Sequence, residues 1–277
     1  VLRSLVDAFV TVTEIDVCTA IVFVWFERMR PSLHEQRHWR RGILLDLGYT
    51  YVGSLVGLLT AMAGLGRAMD ALGPLTHGAL GRLQGHVSGL PLVVQILLAV
   101  IISDFFGYWK HRALHTRFLW PFHAVHHSSE DVDWLSNERM HPVEMVITSF
   151  FFVIPLVVLG FSPAAIVWAA QVRRFHSVYE HGNLDIDYGR GHYVLVSPVF
   201  HRWHHSSDAA SVDTNYANIF AFFDWVFGTF KLPRAAPPAG GFGVPGFPKD
   251  LLRQVVHPFR DVVAARHAST PEQRLRS

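Results

Sequence analysis

D-F-F-G-Y-W-K-H-R-A-L-H-T-R-F-L-W-P-F-H-A-V-H-H, residues 104 to 127, decides how this chain reads. His111 and His115 stand four apart and share one face of a helix, and His123, His126 and His127 repeat that logic at i, i+3 and i+4. Further on, His201, His204 and His205 copy the second cluster. A lone i, i+4 pair is as often a solvated helix face as a ligand pair, but interfacial histidines facing lipid headgroups do not explain the repeated spacing. Imidazole is the commonest nitrogen ligand of iron, zinc and copper. The single cysteine, Cys18, excludes a disulfide or a thiolate cluster, so any metal is held by nitrogen and oxygen. Eight clustered histidines exceed the three or four ligands of one zinc site and suit two adjacent ions.

Working outward, the composition places these clusters beside a membrane. Half of the 277 residues are hydrophobic, 17% are charged against about 25% in soluble domains, and the mean hydropathy is +0.24. A net charge of +2 argues against nucleic acid as a partner. No short apolar run with a cleavage site opens the chain, so no signal peptide is expected.

Apolar runs alternate with basic loops. Residues 15–26 are apolar but short for a span of about 20 residues; extended back to Leu5 they include Asp7, Glu14 and Asp16, which makes the stretch a span with a polar face, a helix packed in an oligomer, or no span. A second run covers 43–63, broken by Asp46, and a third, 92–109, leads straight into His111. Residues 64–91, rich in glycine, read as a loop with an interfacial helix. The apolar 145–172 contains Pro155, Gly160 and Pro163 and reads as a helical hairpin or a kinked pair that dips in and returns. Residues 233–248, rich in Pro and Gly, read as a flexible connector, followed by a short amphipathic helix and a frayed tail. Three segments result: 1–110 with membrane-spanning helices, 111–232 with the histidine motifs and the hairpin, and 233–277. Arg28, Arg30, Arg37, Arg40 and Arg41 between the first two runs outnumber Arg67 and Arg82 between the second and third, which puts the histidines on the cytoplasmic side.

Around the clusters lie further candidates. His176 and His181 are five apart, about 140° round a helix, so one is expected as a ligand and the other beside it, with His181 favoured. His141 is either a partner of the centre or a helix-start residue before Pro142. Asp104 and Glu144 are candidates to orient imidazoles. No Glu-x-x-His signature of soluble di-iron bundles stands out. Phe105, Phe106, Trp109, Trp120 and Phe122 are read as the lining of a lipid entrance or as interfacial anchors. Lys110, Arg112, Arg117 and Arg202 are read as a docking patch for an acidic electron carrier or as ordinary cytoplasmic-side charges.

The motifs D-F-F-G-Y-W-K-H-R-A-L-H, F-H-A-V-H-H-S-S, H-P-V-E and F-H-R-W-H-H, with N-Y-A-N-I-F and F-D-W-V-F-G-T-F at 215–230, resemble the fatty acid hydroxylase (sterol desaturase) superfamily. The resemblance covers about Asp104 to Phe230. It implies an all-α integral membrane protein, multi-pass, with a cytoplasmic histidine-rich cap holding a dimetal site. By it His111, His115, His123, His126, His127, His201, His204 and His205 are metal ligands. H-G-N at His181 to Asn183 is similar to the intermediate histidine motif of bacterial members, with Asn183 beside it. The H-S-V-Y at His176 is similar to the version in sterol-oxidising members, so the choice stays open here.

The function that follows is O2-dependent hydroxylation of a membrane lipid at two iron ions, with zinc as a possible substitute metal. Fatty acyl chains, sterols, carotenoids and ether lipids all fit. Desaturation on the same centre, a zinc-dependent membrane hydrolase using zinc-bound water, and a metal transporter are the alternatives. No haem motif, dinucleotide fingerprint or cysteine set for an iron–sulfur cluster is present. Electrons are therefore expected from outside: a reductase with a ferredoxin or b-type cytochrome, or a reduced pterin.

Overall fold

A computed structural model describes residues 17–37, 39–60, 78–232 and 241–267. The readings that fall on 1–16 (the start of the first run and the signal-peptide expectation), 61–77, 233–240 and 268–277 lie outside the described residues. Regular structure among those described is helical: α1 (17–29), α2 (Ile43–Thr60), α3 (Ala79–Ser88), α4 (Leu92–Leu114), α5 (Trp120–His127), α6 (Pro142–Leu159), α7 (Pro163–His181), α8 (Pro198–His204), α9 (Phe222–Val226) and α10 (Leu251–His267). One isolated bridge, Ser206 to Phe242, is the only extended pairing among them.

Two of these helices, α4 and α6, are long and apolar enough to cross a membrane, and Ile43–Gly57 in α2 is a shorter apolar helix. Their large side chains point outward: Leu97 and Ile101 on α4, Phe150 and Ile154 on α6, Val167 and Trp168 on α7 are exposed. In water such a surface would be a liability; against hydrocarbon it costs nothing. Inside, small residues bring α4 and α7 close: Ala99, Ala165 and Ala169 are fully buried beside Leu156 and Phe161.

The apolar 145–172 stretch is a pair of helices. Pro155 sits inside α6 without ending it. The break comes at Gly160, left-handed at φ +84°, followed by Ser162, whose Oγ accepts from Ala165 N, and Pro163 at the first helical position. A Cβ on Gly160 would stand 2.6 Å from Gln84 Cα on α3. Gly160→Ala therefore meets a left-handed φ and a backbone clash together, and is expected to cost about 1–3 kcal/mol, read as a lowered unfolding midpoint in detergent. An unchanged midpoint would show that α3 moves aside freely.

The 128–141 loop is pinned to α2 by buried charge. Arg40 donates from Nε and Nη2 to the two oxygens of Asp133, both at 2.6 Å, and from Nη2 to Asp46 at 2.5 Å; Arg139 Nε donates to the other Asp46 oxygen at 2.5 Å. Arg40, counted in sequence as a loop charge, is thus a buried structural ion. The loop before it also binds the cap: Ser32 N donates to Asn183 O and Gln36 Nε2 to Val132 O. The described part of the Pro/Gly-rich stretch, 241–248, is packed rather than free, with Gly241 O accepting from Ser207 N and Phe242 lying 4.8 Å from the Arg202 guanidinium. After it, α10 lays Phe259 against Phe122 of α5.

Candidate metal centre

Helix ends build the centre. α4 closes on His111 and is capped by His115; α5 closes on His126 and His127; α7 ends at His181; α8 carries His201 and His204 and is capped by His205. Helix C-termini carry partial negative charge and favour cations. The imidazoles form two groups whose inward nitrogens all lie within 4.8 Å of one another: His111, His115, His123, His127 and His204 in one, His126, His181, His201 and His205 in the other. No carboxylate belongs to either group among the described residues. The groups are interleaved, with His127 stacked on His205 at 4.4 Å and His201 on His204 at 5.3 Å between ring centroids.

The outer nitrogens fix the tautomers. A carbonyl oxygen only accepts, so Nδ1–H must donate from His111 to Tyr216 O (2.8 Å), from His126 to Arg139 O (3.1 Å), from His181 to Ser177 O (2.7 Å) and from His204 to Thr214 O (2.7 Å). His123 Nδ1 meets Glu144 Oε1 at 2.9 Å, and His115 Nδ1 meets Asp213 at 3.2 Å. Each neutral ring held this way turns a bare Nε2 lone pair inward. His126 and His181 then face each other with two lone pairs 3.0 Å apart, and His201 and His205 each stand 3.1 Å from His181 Nε2. The Nε2 atoms of His115, His127 and His204 are buried with no partner. Opposed lone pairs and orphaned nitrogens are unfavourable unless a cation sits among them. An ion about 2.1 Å from each nitrogen sets right-angle neighbours about 3.0 Å apart, so the donor set fits metal.

Burial keeps these rings in the ligating form. Desolvation, reinforced by neighbouring imidazoles, pushes His123, His126, His127, His201 and His205 well below the ordinary histidine range, and burial brings His115, His181 and His204 down to about 3. All are neutral at physiological pH, as nitrogen ligands must be.

A cavity of about 870 Å3 leads away from the centre. It begins at His111, His123, His126, His181 and His201 and runs between α2, α4, α6 and α7 to Leu55 and Phe151, both exposed on the apolar outer surface.

The other sequence candidates fall elsewhere. His176 belongs to neither group; its Nδ1 is 3.8 Å from Glu180. His141 is the helix-start residue: Nδ1 accepts from Val143 N and Nε2 meets Val255 O. Asp104 hydrogen-bonds no imidazole; it accepts from Ile219 N and Phe220 N and pairs with Arg173 at 2.9 Å. Asn183 ties the 30–36 loop through Leu33 and donates its N–H to Glu27. Glu144 does meet an imidazole, that of His123. The expected aromatic entrance is made of other residues. Phe105 and Trp109 pack on Phe227, Trp120 on His115 and His127, Phe122 on His141, and none of the five borders the cavity. Arg202 cannot dock a carrier, being 1% exposed with Nη1 donating to Val132 O, and Lys110 faces the cavity, bonded to Thr148 Oγ1. Sequence reasoning missed Thr214 and Tyr216, which act through main-chain carbonyls; the N-Y-A-N stretch was the only signal nearby.

Residues 96–229 match a family model described as fatty acid hydroxylase. An ornithine lipid hydroxylase of Rhizobium tropici is 28% identical over 253 residues, covering 87% of this chain and 73% of its own. Alkylglycerol monooxygenase of Homo sapiens is 33% identical over 129 residues, 46% of this chain and 28% of its own. Methylsterol monooxygenase 2-1 of Arabidopsis thaliana is 32% identical over 174 residues, 54% of this chain and 62% of its own. The chain thus spans less than two thirds of the length of the last two relatives. No solved structure matches the chain.

Proposed function

Residues 96–229 make this chain a member of the fatty acid hydroxylase superfamily, and from that premise we propose that it is a membrane-bound, O2-dependent lipid hydroxylase with two irons. The single observation that carries the reading is the pair of inward-facing imidazole groups at the end of a cavity that reaches the apolar surface. His111, His115, His123, His127 and His204 would hold one ion, and His126, His181, His201 and His205 the other. Such a pair of ions, when bound and reduced from outside, supplies O2 activation strong enough for an unactivated C–H bond. Everything else falls to the chain. Tyr216, Arg139, Ser177 and Thr214 carbonyls hold the rings in one tautomer, Glu144 orients His123, and the apolar walls at Leu55 and Phe151 admit a lipid from the bilayer while limiting water. The relatives, an ornithine lipid hydroxylase, an alkylglycerol monooxygenase and a methylsterol monooxygenase, support this reading.

Iron-loaded protein supplied with a reductant is expected to place 18O from O2 into a lipid product. Product formed without O2, or carrying oxygen only from water, would move the protein to zinc-type hydrolysis; an unlabelled product two hydrogens lighter would make the same centre a desaturase. An external donor, a reductase with a small carrier or a reduced pterin, is part of the proposal.

The cap is proposed to be cytoplasmic. The arginine-rich loop hydrogen-bonds to the cap through Ser32 and Gln36, so both occupy one side of the membrane, and Arg28, Arg30, Arg37 and Arg41 favour the inner side. Cysteines at Thr116 and Ala209, both exposed, are expected to escape impermeant reagents on intact cells and to react after permeabilisation. Labelling of intact cells would invert the topology.

A further inference from the structure

Part of the histidine-bearing segment descends beside the candidate spans. Ile219 packs in one core with Ala99 and Val100 of α4 and Ala169 of α7. Val100 lies eleven residues before His111, about 16 Å along a helix. The tip of the α6–α7 hairpin is little deeper: Ser162 N donates to Oε1 of Gln95, five residues before Val100. A second strip of chain comes down with the first, since Val196 N donates to Ile219 O. α9 and Phe227 then follow α4 back towards the centre. Phe223 meets Phe105 at 5.8 Å and Phe227 meets Trp109 at 4.8 Å between ring centroids. Residues 194–196 and 219–227 therefore lie between the centre and the hairpin tip, level with the middle of α4.

Irregular backbone at that level must find its hydrogen bonds within the protein, because hydrocarbon offers none. Two buried carboxylates answer it. Asp104 accepts from Ile219 N and Phe220 N, and Asp224 from Tyr216 N and Ala217 N. Arg173 of α7 balances Asp104 at 2.9 Å. The outer surface of the same strips is apolar. Tyr193, Val194, Leu195, Trp225 and Val226 are all exposed, and the turn Gly189–Tyr193 packs against α9, which makes them neighbours. Leu98, Ile101, Phe105 and Trp109 form one stripe of α4 at i, i+3, i+7 and i+11. Phe223 and Phe227 cover the upper half of that stripe, while Leu98 and Ile101 below it are exposed. The patch thus continues the outward face of α4 without a polar break between them.

We propose that residues 193–195 and 225–226 are a membrane-inserted foot of the histidine-bearing segment. Its partner is the bilayer itself, at the boundary of acyl chains and headgroups. Lipid is the occupant because the patch extends the face that α4 turns to hydrocarbon and lies at the depth of the spans. Tyr193 and Trp225 belong to the two residue types enriched at that boundary. Gripped by α4 on one side and by lipid on the other, the centre is fixed in height above the membrane. The proposal rests on the membrane reading of α4 and α6, and its test separates the two.

The full chain with Cys18→Ser, loaded with metal and held in phospholipid nanodiscs, would carry one NBD fluorophore on a cysteine at Val194, Trp225 or Val226. Ile101→Cys serves as the lipid reference, and Thr116→Cys and Ala209→Cys as aqueous references. Quenching by a phospholipid with a nitroxide on its acyl chain is compared with quenching by iodide. The labels at 194, 225 and 226 are expected to match the one at 101, with blue-shifted emission, strong lipid quenching and little response to iodide. A second measurement needs no substitution: a phospholipid with a diazirine on its acyl chain should photolabel peptides containing 193–195 and 225–226 in the parent protein. Iodide quenching at all three sites, with the label at 101 still quenched by lipid, overturns the foot and leaves the span intact. Shielding from both quenchers, with no photolabel, overturns it in favour of a second protein copy on the patch. Iodide quenching at 101 as well would remove the span and the foot together.

Discussion

His126→Ala is expected to remove one metal ion per chain and lower turnover by more than about 100-fold. Losing a group that merely orients a ligand already costs about 10–100-fold, and His126 is itself a proposed ligand. Its ring is locked by Arg139 O and aims Nε2 at His181, 3.0 Å away. Deleting it leaves His181, His201 and His205 and opens a buried void. The five-histidine group keeps all its members, so metal content should fall towards one rather than zero. His204→Ala should do the same from the other group. His176→Ala provides the contrast: it stands outside both groups and should keep two ions. Metal analysis and turnover on the same preparations decide it. Full turnover with unchanged iron in the His126 variant would remove the ligand assignment, and loss of metal in the His176 variant would redraw the four-histidine group.

The second large effect lies away from the imidazoles. Asp46→Ala strands Arg40 and Arg139 together in a buried space, where each currently meets one of the carboxylate oxygens at 2.5 Å. The side chain of Asp46 is fully buried and those of its partners nearly so. Breaking a buried pair by removing one member typically costs about 3–5 kcal/mol. The unfolding midpoint in detergent should drop accordingly, and the 128–141 loop should become cleavable by protease. The loss should reach the centre as well, because Arg139 is the residue whose carbonyl holds His126. A midpoint shift equivalent to under about 1 kcal/mol would mean that the arginines find other partners or water, as exposed pairs do.

What sequence could see follows from which atoms do the work. The three clusters were legible because histidines at i, i+3 and i+4 leave a pattern. His181 against His176 could be narrowed to a preference but not settled: five-residue spacing says only that the two rings point different ways, and the end of α7 then turns His181 inward. The hairpin was half legible. Gly160, Ser162 and Pro163 spell a stop and a restart, yet Pro155 offered a rival break and is absorbed within α6. Main-chain carbonyls such as Tyr216 O have no sequence signature. Nor do partners separated by 93 positions, as Arg40 and Asp133 are. Basic residues near the motifs were read as surface charge because Lys and Arg usually are; Arg202 and Arg40 are exceptions that only packing reveals.

The order in which the chain is made gives the ring-holding carbonyls one more meaning. The clustered histidines begin at His111, but the carbonyls that aim His111 and His204 belong to Tyr216 and Thr214, behind the last of them. Synthesis runs from the N-terminus at about 5–20 residues per second. Through all of that time the growing chain holds imidazoles whose orientation is undetermined. Only when residues 214–216 have left the ribosome can both rings be set, so the complete nitrogen cage is a product of the finished histidine-motif segment and never of a nascent one.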